Sequence, residues 1–439
     1  MIASAGRYVG LLRQPDYRRL WLAASVSAVG SEVTALALPL VAILVLKASA
    51  FEVAALAAAQ LLAFALFALP AGVWADRVSR KGVLVVTDLG RAAILILVPV
   101  AGVAGILSMP LLYVIAFAAS TLTVFFGIAH QAILPEIVDR DRLAEGNSRL
   151  SLSASTAQVI GPSIGGFLVG VLTAPVAIVV DALSFLGSAA FLFGMRTSRP
   201  RPAHATRPRA SLVQEIVVGL RFYRGNRLLM AASSAVVSLN FGFHLASSIF
   251  LVFLVRELAM SPQNLGLALS VGSIGAVIGA AGASALGRRF GLGPVLIVGC
   301  GVTSAAWLLI VFASPATAFA LLATATLIQG FIDPVVFVNF VAFRQTVTPD
   351  ELLGRVNATA RWLHWVAIPL GSLLGGVLAT GIGLRSTIAV GACIALLSVV
   401  FVVFSPLRSV REMPGAPQAP LPVDNPLDGP PLPLGLPPT

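Results

Sequence analysis

The sequence predicts an all-α polytopic membrane protein, twelve transmembrane helices in two pseudo-symmetric six-helix bundles, and three observations predict it. Of its 439 residues 58% are hydrophobic and only 11% are charged, with a mean hydropathy of +0.95, whereas a soluble chain carries roughly 25% charged residues. Apolar runs long enough to cross about 30 Å of hydrocarbon recur along the whole chain. The pattern of the first half also returns in the second.

The first six runs fall at 20–46, 52–75, 83–107, 110–129, 150–172 and 176–195. The second six fall at 228–255, 264–286, 295–313, 317–340, 361–383 and 387–404. This divides the chain into a first bundle (1–195), a basic linker with a surface helix (196–227), a second bundle (228–404) and a proline-rich tail (405–439). The tail buries too little apolar surface to fold, and disorder is expected there. No short apolar segment with a small-residue cleavage site precedes the first run, so that run is expected to stay in the membrane.

The net charge of +11 raises the question of nucleic acid, and the positions of the charges answer it. Loops assigned alternately to two sides put 24 of the 29 basic residues on one side, including Arg7, Arg13, Arg18 and Arg19 and the run from Arg196 to Arg227. Only Lys47, Arg256 and Arg385 fall on the other, and Arg91 and Arg361 lie within helices. The rule that cytoplasmic loops are basic places both termini on the cytoplasmic side, with a lipid bilayer and not nucleic acid as partner.

The repeat is visible in particular residues. Asn147, Gly161, Gly165 and Gly166 are matched by Asn357, Gly371, Gly375 and Gly376, 210 residues on. Leu22-Ala23-Ala24-Ser25 resembles Met230-Ala231-Ala232-Ser233 at an offset of 208, which pairs Glu32 with Asn240. Six spans per half give both halves one orientation, related by an axis along the membrane normal.

Several chemistries find no residues to support them. The only lysines, Lys47 and Lys81, precede Ala48 and Gly82, so no G-K-[ST] phosphate loop exists and ATP is not expected as a fuel. His130, His204, His244 and His364 are scattered, with no HExxH and no CxxC, so neither a metal centre nor any cofactor is expected, and no catalytic constellation of an enzyme is visible. Cys300 and Cys393 both lie in apolar runs, where they read as small buried residues.

After span 2 stands Gly72-Val73-Trp74-Ala75-Asp76-Arg77-Val78-Ser79-Arg80-Lys81. It resembles the G-x-x-x-D-R-x-x-R-[KR] loop of the major facilitator superfamily. That resemblance implies the fold just predicted, and a latch in which Asp76, with Gly72, Arg77, Arg80 and Lys81, holds the halves together while the outer side is open. A purely topogenic loop accounts for the three basic residues but not for Asp76 or Gly72. Asp88 and Arg91, three apart on one helical face, either neutralise each other or join the latch.

Span 5 carries Gly161-Pro162-Ser163-Ile164-Gly165-Gly166, similar to the G-P-x-x-G-G of major facilitator antiporters. Its small residues four apart permit close helix approach whatever else they do. With Leu134-Pro135-Glu136-Ile137-Val138, Asp181-Ala182-Leu183-Ser184-Phe185 and Gly219-Leu220-Arg221-Phe222, the chain from about 11 to 410 looks like the drug-proton antiporter branch that includes bacterial enterobactin and macrolide exporters. The resemblance implies a secondary transporter that exports an amphipathic small molecule in exchange for protons.

Glu32 lies twelve residues into its span, about 18 Å along a helix that rises 1.5 Å per residue. A carboxylate at that depth costs several kcal/mol, so it takes a proton or meets a cation in a wet cavity. A neutral Glu serving as a helix contact is the plain alternative. Asn240 and His244 in span 7, Asp333 and Asn339 in span 10 and Asp181 in span 6 are further candidates for the cavity. Each alone is more often a structural group, Asp181 most of all. Two other readings of the whole stand beside export: a uniporter or importer without proton coupling, and a membrane scaffold that moves nothing.

Overall fold

The computed structural model describes residues 10–75, 78–196 and 220–410. Twelve long helices lie among them. In the first half they are α1 (Pro15–Leu40, ending in a π-helical turn, Val41–Val45), α2 (Ala50–Ala75), α3 (Arg80–Leu95, resumed as Leu97–Val103), α4 (Met109–Ile137), α5 (Leu143–Val171) and α6 (Ala174–Phe193). In the second they are α7 (Arg227–Arg256), α8 (Pro262–Phe290), α9 (Leu292–Val311), α10 (Ala318–Val347), α11 (Asp350–Ile382) and α12 (Leu384–Val403). Eleven are long and apolar enough among the described residues to cross a membrane, and α11 contributes a shorter apolar stretch, Ala367–Ile382.

Several helices outrun the hydropathic spans. The Leu134-Pro135-Glu136 stretch, expected in a loop, closes α4, and α5 and α11 begin seven and eleven residues before their apolar runs. Hydropathy marks the thickness of lipid. Beyond it the helix continues in water as long as its residues are good helix formers. The α2 start is fixed by a reciprocal cap: Ser49 N donates to Glu52 Oε2 at 2.7 Å and Glu52 N to Ser49 Oγ at 3.2 Å. At the other extreme α8 passes into α9 through Gly291 alone, at φ +83°, a left-handed link that a residue with a Cβ takes up only with strain.

The packing repeats with a shift of six helices. α1 packs on α5 and α6, α3 on α4 and α6, and α2 on α4; α7 packs on α11 and α12, α9 on α10 and α12, and α8 on α10. The bundles meet along two seams, α5 against α8 and α2 against α11. At the end away from the described termini one apolar core runs through both bundles, joining Leu36, Ile43 and Leu56 to Ile249, Phe253 and Leu265. At the end that carries the termini the core is split: Tyr17, Leu20 and Ile133 belong to one cluster, and Leu229, Phe340 and Leu407 to another. Among the described residues, then, one core is shared by both bundles at one end, and each bundle has its own core at the other.

Lipid-facing surfaces follow from composition. Phe193, Val103, Phe312 and Phe404 are each more than 70% exposed, a surface that water would disfavour and a bilayer covers. Cys393, expected to be buried, is exposed on α12, while Cys300 is buried as expected. Tyr17 is fully buried, with its hydroxyl donating to Gly146 O at 3.0 Å, and ties α1 to the start of α5.

Candidate transport site

Glycines on α5 and α11 set the depth at which α1 and α7 are held. A Cβ at Gly161 would collide with the Cβ and Cγ of Glu32, and one at Gly165 would stand 3.2 Å from the Cα of Val33. In the second bundle Gly371 meets Phe241 and His244, and Gly375 meets Leu245. Gly30 against α6 has its counterpart in Gly242 against Gly391 and Ala395 of α12. These pairs put α7 at an offset of 212 from α1, one helical turn from the 208 read from the sequence. The structural counterpart of Glu32 is therefore His244 and not Asn240. A four-residue error preserves the helical face and so leaves no trace in the apolar pattern.

Glu32 is half-buried, its stem over Gly161 in the α1–α5 seam, and its carboxylate makes no hydrogen bond or ion pair among the described residues. His244 is likewise half-buried, edge-on to Phe243, which also stands against Trp307 at 5.6 Å between ring centres. A cavity of about 500 Å³ opens within the second bundle, lined by Asn240, Phe243, Thr303, Asp333, Phe337 and Phe340 among others; neither Glu32 nor His244 is part of its lining. Asp333 accepts from Thr303 Oγ1 at 2.8 Å and carries the cavity's single formal charge; Asn240 donates to Val236 O at 2.8 Å, which leaves its carbonyl oxygen free for a guest. Apolar walls with a few polar groups are the usual make-up of a small-molecule site. Thr303, Phe243 and Phe337 escaped the sequence reading, because they come from three helices and share no spacing.

Two expected cavity liners lie elsewhere. Asn339 is 3% exposed and sits in the α8–α10 seam, its amide donating to Ala283 O at 3.0 Å and Val335 O at 2.8 Å beside Gly287. It is a packing group, because a buried amide is stable only where both its hydrogens find carbonyls. Asp181 is 1% exposed in the α1–α6 seam, against Gly30, and accepts from Ser184 Oγ at 3.0 Å.

Of the loop signature, Asp76 and Arg77 lie outside the described residues, and the Gly72 surroundings do as well; so do the linker from 197 to 219, the tail beyond 410 and the side chain of His364. The described part acts within the first bundle. Arg80 donates to Ala132 O at 2.8 Å and Glu136 Oε1 at 2.7 Å on α4, and Lys81 donates to Met195 O at 2.7 Å past α6. Arg80 and Lys81 are thus joined to the bundle that carries them, at the end where the two cores have separated. Asp88 and Arg91 pair with each other inside that bundle, and Ser188 Oγ donates to Asp88 Oδ2 at 2.6 Å.

The antiporter-like glycines have two faces. Gly161 and Gly165 seat α1, whereas Gly166 meets Pro262 and Gly266 of α8 and Gly170 meets Gln263, across the seam between bundles. Pro162 presents its carbonyl to Gly266, and Ser163 Oγ donates to Ser270 Oγ at 2.7 Å. On the opposite seam Gly376 meets Phe51 and Ala54 of α2.

Known proteins share this arrangement. The multidrug efflux pump Tap of Mycolicibacterium fortuitum is 27% identical over 397 residues, 88% of this chain and 95% of that protein. The pump of the same name from Mycobacterium tuberculosis is 28% identical over 412 residues, 90% and 94% of the two chains. Among solved structures, a bacterial homologue of the iron transporter ferroportin in an inward-facing state superposes with a TM-score of 0.70 at 17% identity, covering 90% of this chain and 98% of that one. The nucleoside transporter NupG gives 0.69 at 12% identity, covering 88% and 98%; at such identities the likeness shows the fold alone. The family model described as transmembrane secretion effector matches residues 8–428. The chain therefore belongs to the transmembrane secretion effector family of the major facilitator superfamily, a multi-pass membrane transporter similar to pumps of the drug-efflux type, and not an enzyme.

Proposed function

We propose that this transporter exports an amphipathic, partly cationic small molecule from a bacterial cell in exchange for protons, by alternating access between its two bundles. The observation that carries the reading is the asymmetry of the cores among the described residues, one at one end and two at the other, together with a Glu32 carboxylate that meets no partner among those residues and a cavity in the second bundle that holds Asp333. The basic side of the loops assigns the two-core end, and both termini, to the cytoplasm. A guest would then enter from the cytoplasm with its apolar part among Phe243, Phe337 and Phe340 and its cationic part at Asp333.

Glu32 serves as the exchange group. Ionised, it holds a cation or water in the space between α1 and the second bundle; protonated, it releases them and α1 becomes free to close over an empty site. One charge moving through 100 mV contributes about 2.3 kcal/mol, roughly a 50-fold bias between two states.

The test is Glu32→Gln in everted vesicles, with a fluorescent cationic dye as substrate and an imposed pH gradient. Gradient-driven dye accumulation is expected to vanish while downhill dye movement persists; coupling that survives the substitution overturns the mechanism. One observation favours the uncoupled uniporter instead. The stem of Glu32 fills the space over Gly161, and a residue that only packs there would give that second result.

A further inference from the structure

The interior of the first bundle holds a set of ionisable groups that the transport cycle above does not use. Asp88 and Arg91 on α3 and Asp181 on α6 are 0%, 3% and 1% exposed. Arg91 pairs directly with Asp88, and its guanidinium lies between the rings of Phe126 on α4 and Phe185 on α6, at 4.3 and 4.0 Å from their centres. Asp181 experiences the charges of both Arg91 and Asp88. The neutral groups around it are Ser184, which donates to it, and Thr34 on α1; Ser188 is committed to Asp88. From α4, His130 stacks on Phe126 at 5.7 Å, feels the charge of Arg91, and has a buried Nε2 with no partner. Arg91 Nε is also buried without a partner.

Counting charges leaves a deficit. Two carboxylates face one guanidinium, so the fully ionised cluster carries one uncompensated negative charge in a site closed to water, which is strongly unfavourable. One proton removes it. Asp88 is held as the ionised partner of Arg91 by direct contact and by Ser188. His130 stands beside a permanent cation, which opposes a second positive charge there. Asp181 is the group that remains.

We propose that Asp181 is a proton-binding site of this transporter, distinct from Glu32, occupied when the Asp88–Arg91 pair is intact. Its position gives the proton something to control. Asp181 and Ser184 fill the space over Gly30 of α1, two residues from Glu32, so that loss of the proton leaves a bare negative charge in the seam that seats α1. The site itself does not depend on the proton coupling proposed above, since it follows from the composition of the cluster.

Infrared spectroscopy of the purified full-length protein at neutral pH tests it without substrate, through the carbonyl stretch of a protonated carboxylic acid and its shift in D₂O. The expected result is a band present in the wild type and in Glu32→Gln and absent in Asp181→Asn. It is also expected to be absent in Asp88→Asn, because removal of that carboxylate leaves Arg91 to Asp181 and the proton departs. A purely structural Asp181 would not make its protonation depend on residue 88. A band that persists in Asp181→Asn, or that Asp88→Asn leaves in place, overturns the proposal. Thermal unfolding of each variant identifies any that fails to fold; Asp181→Asn should remain folded because it keeps the shape of the side chain and leaves a neutral Asp88–Arg91 pair.

Discussion

Gly266→Ala puts one methyl group where the backbones of the two bundles touch. A Cβ there would run into the carbonyl oxygen of Pro162 and stand 3.1 Å from the Cα of Gly166, while a Cβ at Gly166 would meet Pro262 and Gly266 in turn. Every atom in the way belongs to backbone, so no rotamer relieves the clash and α5 and α8 must separate. Separation breaks the bonds from Ser163 N and Ser163 Oγ to Ser270 Oγ, at 3.1 and 2.7 Å. Overpacking of this kind costs about 1–3 kcal/mol, and an interhelical hydrogen bond within a membrane adds about 0.6–1.7. Together they make about 2–5 kcal/mol, roughly a 30- to 5000-fold change in an equilibrium constant. Thermal unfolding of the detergent-purified protein, followed by tryptophan fluorescence, reads the loss directly, and dye efflux from cells reads its functional consequence. Ser163→Ala provides the internal scale, since it removes the hydroxyl bond and leaves the backbones where they are. A Gly266→Ala protein that melts no lower than Ser163→Ala refutes the reasoning, because the seam would then have slack that the close approach denies.

Two other variants probe the shared-core end and the cavity. Arg256 Nη2 donates to Ala48 O at 2.5 Å and bridges the bundles; Arg256→Ala is expected to cost about 0.5–1.5 kcal/mol and to speed thiol labelling of Ala54→Cys, in a Cys393→Ser background, by roughly two- to tenfold. Labelling at the wild-type rate would mean that the bridge does not help to close that end. Asp333→Asn removes the cavity's charge while keeping an acceptor for Thr303. It is expected to weaken binding of a monovalent amphipathic cation about 10-fold or more and to leave a neutral analogue of the same shape nearly unaffected, as measured by fluorescence titration. Equal losses for both ligands would assign Asp333 to packing.

Much of the candidate site was legible by residue type and much less by position. Glu32 stood out because a charge at mid-bilayer is rare, and among the described residues its carboxylate meets no partner. Asn339 stood out on the same ground and is a packing group, since the sequence does not tell whether an amide faces a cavity or the carbonyls of the next helix. Asp181 is a cavity candidate by sequence, read more readily as packing, and it is buried in a helix seam; what the sequence withheld is that Arg91 and Asp88 share its surroundings. Two of the three basic residues of the far side illustrate the same limit. Arg256 and Arg385 serve as caps: Arg385 donates to Val311 O and to Ala313 O, the latter at 3.0 Å, at the end of α9.

From the sequence alone come the number of helices, their approximate ends and the twofold repeat, because a bilayer imposes length and polarity on each segment separately and both are local properties of composition. Only the tertiary structure decided which faces meet. The one-turn shift that pairs Glu32 with His244, the two-sided use of the span 5 glycines, and the shared and separate cores all depend on where small residues from remote segments let backbones touch. Such contacts are set by close packing between helices, and a one-turn slide, which keeps every residue on its face, changes them without changing anything that hydropathy measures.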